Sequence, residues 1–452
     1  MQKMIPDIRD LSEHDFLALR AQLDHQLPIE EAQRVLSRYH ASDIAKLVQY
    51  FDPDERIAFL RRFHAILDAE VLNHLDESVR DQLLGGMPPQ IVASLLDQLN
   101  SDDMVSIIES FDTAQREPVL QCMTQEDRIY VQTSLTYPEG SAGRLMQREI
   151  FGLPAHSTVG QALKVLAHVR IPEGTSDIFL VNRKKHLVGV LPLAHLFKAA
   201  KTALLESLAQ KAVYTISVDM DEQEVANHFR QYDLLCAPVV DADNRLVGMI
   251  TLDDVMDIVS ETAEESILSL SGLRSSDFYE PILKTATSRL PWLLLTLGSV
   301  LMASGVVAQF ADILQRKIVL AIFMPVVASM GGNAGTQVLT VTVRALALQE
   351  LTSWNTFRSI VKELRVSLLN GMILGSLLGN LSYWWFGDPG VSILLGVSVV
   401  LNILWSGIMG TILPIVTYRL GKDPALSAGP VLTTLTDIFG FAVFLGLAVL
   451  TI

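Results

Sequence analysis

VLTTLTDIFGFAVFLGLAVLTI, residues 431–452, is an apolar run long enough to cross a bilayer at about 1.5 Å per residue, with one carboxylate, Asp437, about 9 Å from its start. An ionised acid at that depth costs several kcal/mol unless it faces a wet cavity or a cation, so Asp437 marks a functional site or needs local partners. Thr433 and Thr434 are the nearest candidates if its role is only helix packing. Working back along the chain, four more apolar runs precede it, at Leu290–Phe310, Ile318–Leu346, Val366–Phe386 and Val391–Tyr418, with the last run extended to Pro424–Ile452. Asp437 is the only carboxylate inside any of the five. Five spans put the two termini on opposite sides. With the N-terminal part in the cytosol, the basic loops Arg358–Arg365 and Arg419–Lys422 also lie inside, as the positive-inside rule asks, while Gly387–Gly390 has no base. Arg316 and Lys317 fall on the outer side and break the rule.

The formal charge of −15 over 452 residues conceals two unlike parts. From Tyr279 onward there are 7 acids and 10 bases; before it there are 43 acids and 25 bases, a net of −18. Such acidity argues against nucleic acid or an anionic lipid surface as partner and suits cations. Cys122 and Cys236 are far apart and lack zinc-site spacing, which fits a reducing cytosol. Met1–Asp10 lacks the basic-then-apolar pattern of a cleavable signal, so the first span is expected to direct insertion.

Residues 11 to about 135 read as short helices with apolar residues three and four apart, broken at Asp52-Pro53, Pro88-Pro89 and Asn100-Ser101, the signature of stacked helix pairs. The pattern then changes. Ile178–Leu191 holds two apolar runs around the turn Arg183-Lys184-Lys185-His186, and the same layout returns 59 residues later, where Cys236–Asp241 leads through Asn244 and Arg245 to Leu246–Thr251. An amphipathic helix precedes each copy, at Val159–Val169 and Glu222–Tyr232. Over about 120 residues this tandem resembles a pair of cystathionine-β-synthase (CBS) modules. Asp253-Asp254 then opens a helix on which Asp253, Asp257, Glu261 and Glu265 follow at four-residue steps, with Asp254 and Glu264 beside them. Each like-charge pair at that spacing opposes helix formation by a few tenths of a kcal/mol, so the stripe is either a solvated face or a seat for divalent cations. Mg²⁺ suits it, because it takes oxygen ligands, keeps several waters and can bridge carboxylates of two domains.

Within the membrane-length runs, Gly331-Gly332-Asn333-Ala334-Gly335-Thr336-Gln337 is small and polar for mid-bilayer, as a segment lining a cavity would be. Gly371, Gly375 and Gly379 in the third span read as close helix packing. In the fifth, Pro430, Thr433, Thr434, Asp437 and Gly440 share one face, which suits a hydrated cation.

His40–Ala45, Tyr137–Met146, Gly331-Gly332-Asn333, and Asp423-Pro424-Ala425 followed by Pro430 and Thr436-Asp437 occur in an order that resembles the MgtE family of magnesium channels and transporters over nearly the whole chain. The resemblance implies a homodimer with a pore on its two-fold axis. Asp437 of each subunit would hold hydrated Mg²⁺, with Thr433, Gly331, Gly332 and Asn333 as its polar surroundings. It also implies closure by cytosolic Mg²⁺ bound at Asp102, Asp103, Asp253, Asp254, Asp257, Glu261, Glu264 and Glu265. Three positions depart from the family pattern. Pro192-Leu193-Ala194-His195 stands where nucleotide-binding relatives carry an Arg-Asp pair, which argues against ATP as a ligand; Gly429 replaces an Asn found in some relatives; Ser106 stands where a second N-domain acid is expected.

The expectation is therefore a multidomain chain: an all-α helical-repeat N-domain (1–135), tandem α/β CBS modules (136–260), an acidic connecting helix (253–289) and a five-helix membrane domain (290–452). His40 and Asp43 read as helix-start capping, not a metal pair. No phosphate loop, nucleophile elbow or His-Glu-x-x-His run is present in the sequence, so an enzyme is not expected. Mg²⁺ uptake through a dimeric inner-membrane pore leads. A CBS-regulated transporter of another divalent cation or of an anion is one alternative, with Arg344 its best support, and a membrane-anchored Mg²⁺ sensor without flux is the other.

Overall fold

The computed structural model describes residues 28–66, 68–168, 176–210, 214–270, 272–273, 282–347, 350–351 and 354–451. The helix expected from residue 11 lies outside these as far as residue 27. Two compact units divide the chain, 1–260 and 261–452.

The first unit opens with short helices α1 (Ile29–Leu36), α2 (Ala41–Gln49), α3 (Pro53–Phe63), α4 (Glu77–Gly85), α5 (Pro89–Leu96), α6 (Ser101–Ser110), α7 (Thr113–Cys122) and α8 (Gln125–Ser134). Each break in the sequence is a helix start. His40 accepts from the Ser42 amide at 3.2 Å, Asp76 from Ser78 at 3.0 Å and Asp112 from Gln115 at 2.8 Å, while Asp52 and Glu55 form a capping box. His40 is thus a cap, as its position in the sequence suggested. Leu47, Leu60, Phe63, Leu72 and Leu83 are almost wholly buried, each contributing roughly 1.5–3 kcal/mol.

After the one-turn helix α9 (Ala142–Leu145) come two α/β modules of the CBS type. The first comprises β1 (Gly152–Pro154), α10 (Val159–Leu166), β2 (Asp177–Val181), β3 (Leu187–Pro192), α11 (Leu193–Leu196) and α12 (Leu205–Leu208); the second comprises β4 (Ile216–Ser217), α13 (Glu222–Tyr232), β5 (Cys236–Val240) and β6 (Leu246–Thr251). In each sheet a short strand runs parallel to the first arm of an antiparallel hairpin, in the orders β1-β2-β3 and β4-β5-β6. The hairpins repeat residue for residue: Asp177 pairs with Pro192, and Cys236 with Thr251. Lys185 and Asn244 take the same left-handed turn position, and the turns meet, with the Leu246 amide donating to the Lys185 carbonyl at 3.0 Å.

Helix α14 (Leu252–Leu270) contains the division between the units. Residues 253–289, expected as one connecting helix, extend over two: α14 stops at a turn where Gly272 has φ 79°, and a new helix, α15 (Ile282–Ala308), runs on into the first apolar span. Gly272 also lies against the Trp292 indole, where a Cβ would come within 2.0 Å of the ring.

The second unit continues with α16 (Ala311–Arg316), α17 (Ile318–Ala347), α18 (Thr356–Phe386), α19 (Pro389–Arg419) and α20 (Pro424–Thr451). Among the described residues, five of its helices are long and apolar enough to cross a membrane. Phe323, Val327, Leu395, Val399, Phe444 and Leu445 form its core, contributed by α17, α19 and α20. The third-span glycines bring α18 and α19 backbone to backbone. A Cβ on Gly375 would stand 2.5 Å from the Gly396 carbonyl, and one on Gly379 2.9 Å from that of Ser392. Lys317, which broke the charge rule, donates to Asp388 at 2.8 Å, and Asp388 also caps α19 at the Gly390 amide. Its charge is therefore offset, and the pair joins the α16–α17 connection to the start of α19.

Candidate functional site

Asp437 sits on α20 with Leu432 and Thr436 buried to one side. It is half-buried, and no hydrogen-bond donor or cation meets its carboxylate among the described residues. The neighbouring hydroxyls are engaged elsewhere: Thr433 donates to the Gly429 carbonyl at 3.2 Å and Thr434 to that of Pro430 at 2.6 Å. They do not hold Asp437, which removes the purely local explanation. Pro430 has no N–H, so the Leu426 carbonyl one turn earlier lacks its helical donor.

On α17 the small polar stretch separates into two faces. Gly331 and Gly335 are buried among neighbouring helices. Gly331 lies against the Asn402 carboxamide, which occupies the space a side chain there would take. Gly332 has open space beside it, and Asn333 is exposed. Ser329, Asn333, Thr336, Gln337, Thr340 and Arg344 are all exposed and recur at three- and four-residue steps, giving one polar stripe along a membrane-length helix. Thr336 and Thr340 donate to carbonyls of their own helix at 2.9 Å, so the amides and the guanidinium are the groups of this stripe that call for water or another polar surface.

The first unit holds five of the acids named for regulation. Ser101 and Asp102 on α6 are buried beside Gln147, whose amide donates to Asp102 at 3.2 Å and to both Asp254 oxygens at 3.3 Å. Asp254 accepts from the Thr251 amide and hydroxyl at 2.9 and 2.6 Å. One Asp102 oxygen is buried with no partner. Burial, then the charges of Asp254 and Asp103, push Asp102 well above the usual carboxylate range. Burial raises Asp103 to about 6, against the Asn73 hydrogen bond and aided by Asp254, Asp257 and Asp253. Asp257 is raised by burial and then by Asp254, and Asp254 by burial despite its Thr251 hydrogen bonds. Asp102, Asp103, Asp253, Asp254 and Asp257 thus form one like-charged neighbourhood, and an oxygen-seeking cation would relieve it. Among the described residues, no group of three His, Cys, Asp or Glu side chains is placed to enclose a metal by itself. Glu261, Glu264 and Glu265 are exposed and belong to the second unit.

Gln147, Arg144 and Arg148 were not singled out from the sequence. Arg144 pairs with Glu109, Arg148 with Asp127, and Ser101 donates to Glu149 at 2.6 Å, so α9 and the segment after it clasp α6 and α8. Asn402, fully buried, was missed too, although it is the only amide side chain in the fourth span.

Over 424 residues the chain is 32% identical to the magnesium transporter MgtE of Thermus thermophilus, covering 92% of this chain and 94% of that one. The chain belongs to the MgtE family. An identity of 30% over 423 residues relates it equally broadly to the magnesium transporter MgtE of Bacillus subtilis, at 93% and 94% coverage. Family models match residues 324–447 as MgtE, divalent cation transporter, residues 39–140 as the MgtE intracellular N domain, and residues 205–261 as a CBS domain. The crystal structure of the cytosolic domain of the Mg²⁺ channel MgtE in complex with ATP is similar to 54% of this chain and 99% of its own, at 28% identity and a TM-score of 0.50. These relatives are named as transporters or channels, not as enzymes.

Proposed function

We propose that this MgtE family member lets Mg²⁺ into the cell passively, through a pore that two copies form and cytosolic Mg²⁺ closes. The observation that carries the reading is polarity in the wrong solvent: a stripe of amides and hydroxyls along α17 and an unpartnered Asp437 on α20, both on membrane-length helices. A hydrated divalent ion supplies what both lack, positive charge for the carboxylate and water for the amides. Asp437 binds the ion, with Thr433, Gly332 and Asn333 among its polar surroundings. Asp102, Asp103, Asp253, Asp254 and Asp257, with Glu261, Glu264 and Glu265, form the sensing region. There, Mg²⁺ offsets a repulsion that otherwise loosens the cytosolic modules. The organisation is 1–135, 136–260, 253–289 and 290–452, with the acidic modules in the cytosol and the C-terminus outside. The Lys317–Asp388 pair fits five spans in either orientation, since it joins two connections that share one side, and it offsets the charge that departs from the positive-inside pattern.

Mg²⁺ flux into liposomes containing the purified protein tests this. The parent is expected to carry Mg²⁺ and Asp437→Ala to lose at least about tenfold in rate, the loss of a charge-assisted contact worth about 1.4 kcal/mol or more. Equal flux in the two proteins refutes the pore assignment. A sensor without transport predicts no flux from either.

A further inference from the structure

We propose that Asn402 is a positioning residue, setting the pore-facing segment of α17 in register with Asp437 on α20. The inference rests on the pore reading above. Asn402 lies on α19 with no exposed surface, and its Nδ2 donates to the Val327 carbonyl of α17 at 2.9 Å. Its carboxamide is enclosed from both sides by missing side chains. A Cβ on Gly331 of α17 would stand 2.2 Å from Nδ2, and one on Gly440 of α20 would stand 2.7 Å from it. Gly331 directly precedes Gly332 and Asn333. Gly440 follows Asp437 by three residues, about 4.5 Å along the helix. Both polar segments are therefore indexed to one side chain. One turn further along α17, Gly335 meets Leu432 of α20, with a hypothetical Cβ at 3.2 Å from Leu432 Cδ2, and Gly410 of α19, and neither contact is a directional side-chain hydrogen bond.

The carboxamide is also a costly way to fill space. Its Oδ1 is buried without a partner, so a leucine would occupy the site with no orphaned acceptor. What leucine lacks is the N–H that ties α19 to one turn of α17.

Mg²⁺ concentration series on liposomes containing parent, N402L, G440A and D437A, with melting of each protein in detergent, test the proposal. N402L is expected to melt close to the parent but to shift half-saturating Mg²⁺ at least fivefold or alter preference among divalent cations. G440A, whose Cβ would displace the carboxamide, is expected to shift the same readouts in the same sense. Unchanged half-saturation and preference in N402L, or in a folded G440A, overturns the proposal. If N402L fails to fold, G440A decides by itself. Parent-like flux in D437A sinks the pore reading, whereas an inactive D437A beside a parent-like N402L sinks only this inference.

Discussion

Replacing Asp103 by asparagine keeps an acceptor for Asn73 but removes one negative charge from a group of five aspartates on α6 and α14. The burial of Asp103 and the charges of Asp254, Asp257 and Asp253 lift its carboxyl from 3.8 to about 6. A shift of that size is worth on the order of 3 kcal/mol, cut to about 1–2 kcal/mol by the solvent that reaches this partly exposed group. The direction follows from proton binding. Between pH 4 and 6 the packed state holds the proton that the opened state releases, so stability is greatest at the acid end and falls as pH rises through about 6. On the proposed function, Mg²⁺ takes the place of the lost proton at neutral pH. Hydrogen exchange on the full-length protein reads this out at residues 101–110 and 252–260. In EDTA, the parent's protection, corrected for intrinsic exchange, should fall by about tenfold between pH 5 and 7, and Mg²⁺ should restore it. Asp103→Asn should show a shallower fall and higher protection at pH 7 without Mg²⁺. Asp102 and Asp254, shifted in the same direction, keep the slope from vanishing. A flat parent profile in EDTA, or an Asp103→Asn profile as steep as the parent's, refutes the argument.

Two further perturbations probe packing and the clasp. Gly375→Ala places a Cβ 2.5 Å from the Gly396 carbonyl and should cost about 1–3 kcal/mol, lowering the melting temperature in detergent, while Gly446→Ala, with open space beside it, should be neutral or slightly stabilising. Arg148→Ala leaves the buried Asp127 without its guanidinium, at a cost of about 1–3 kcal/mol. Burial alone would raise Asp127, but the Thr124 hydroxyl and Arg148 hold it below the usual range. Faster proteolysis between residues 122 and 151 is the expected sign of the lost pair, and an unchanged rate would show that the clasp does not restrain this segment.

Much of the architecture was legible because periodicity reports burial. The five apolar runs, the 59-residue module repeat, the cap at His40 and the break at Asp52-Pro53 all reappear as elements. The glycine ladder of the third span was read correctly, since small residues at four-residue steps admit a second backbone. Less legible were residues whose partners are distant in sequence. Gln147 meets Asp102 and Asp254, 45 and 107 positions away, and Asn402 meets Val327, 75 away. That Asn402 fills the space beside Gly331 is likewise a property of the packed helices and not of the local sequence. The polar stripe from Ser329 to Arg344 could have been found earlier, because its spacing alone puts it on one face.

The order of motifs and the charge of each segment determined, without any coordinates, that this is a membrane-spanning chain with acidic soluble modules and one carboxylate deep in its last span. Those are properties of local composition, and local composition decides which solvent a segment can enter. Tertiary structure decided that the Thr433 and Thr434 hydroxyls bond to their own helix and leave Asp437 unmet, that Lys317 is offset by Asp388, and that Asn402 occupies the gaps left by Gly331 and Gly440. Hydrogen bonds and close approaches depend on distances of a few tenths of an ångström between residues far apart in the chain, which no periodicity encodes.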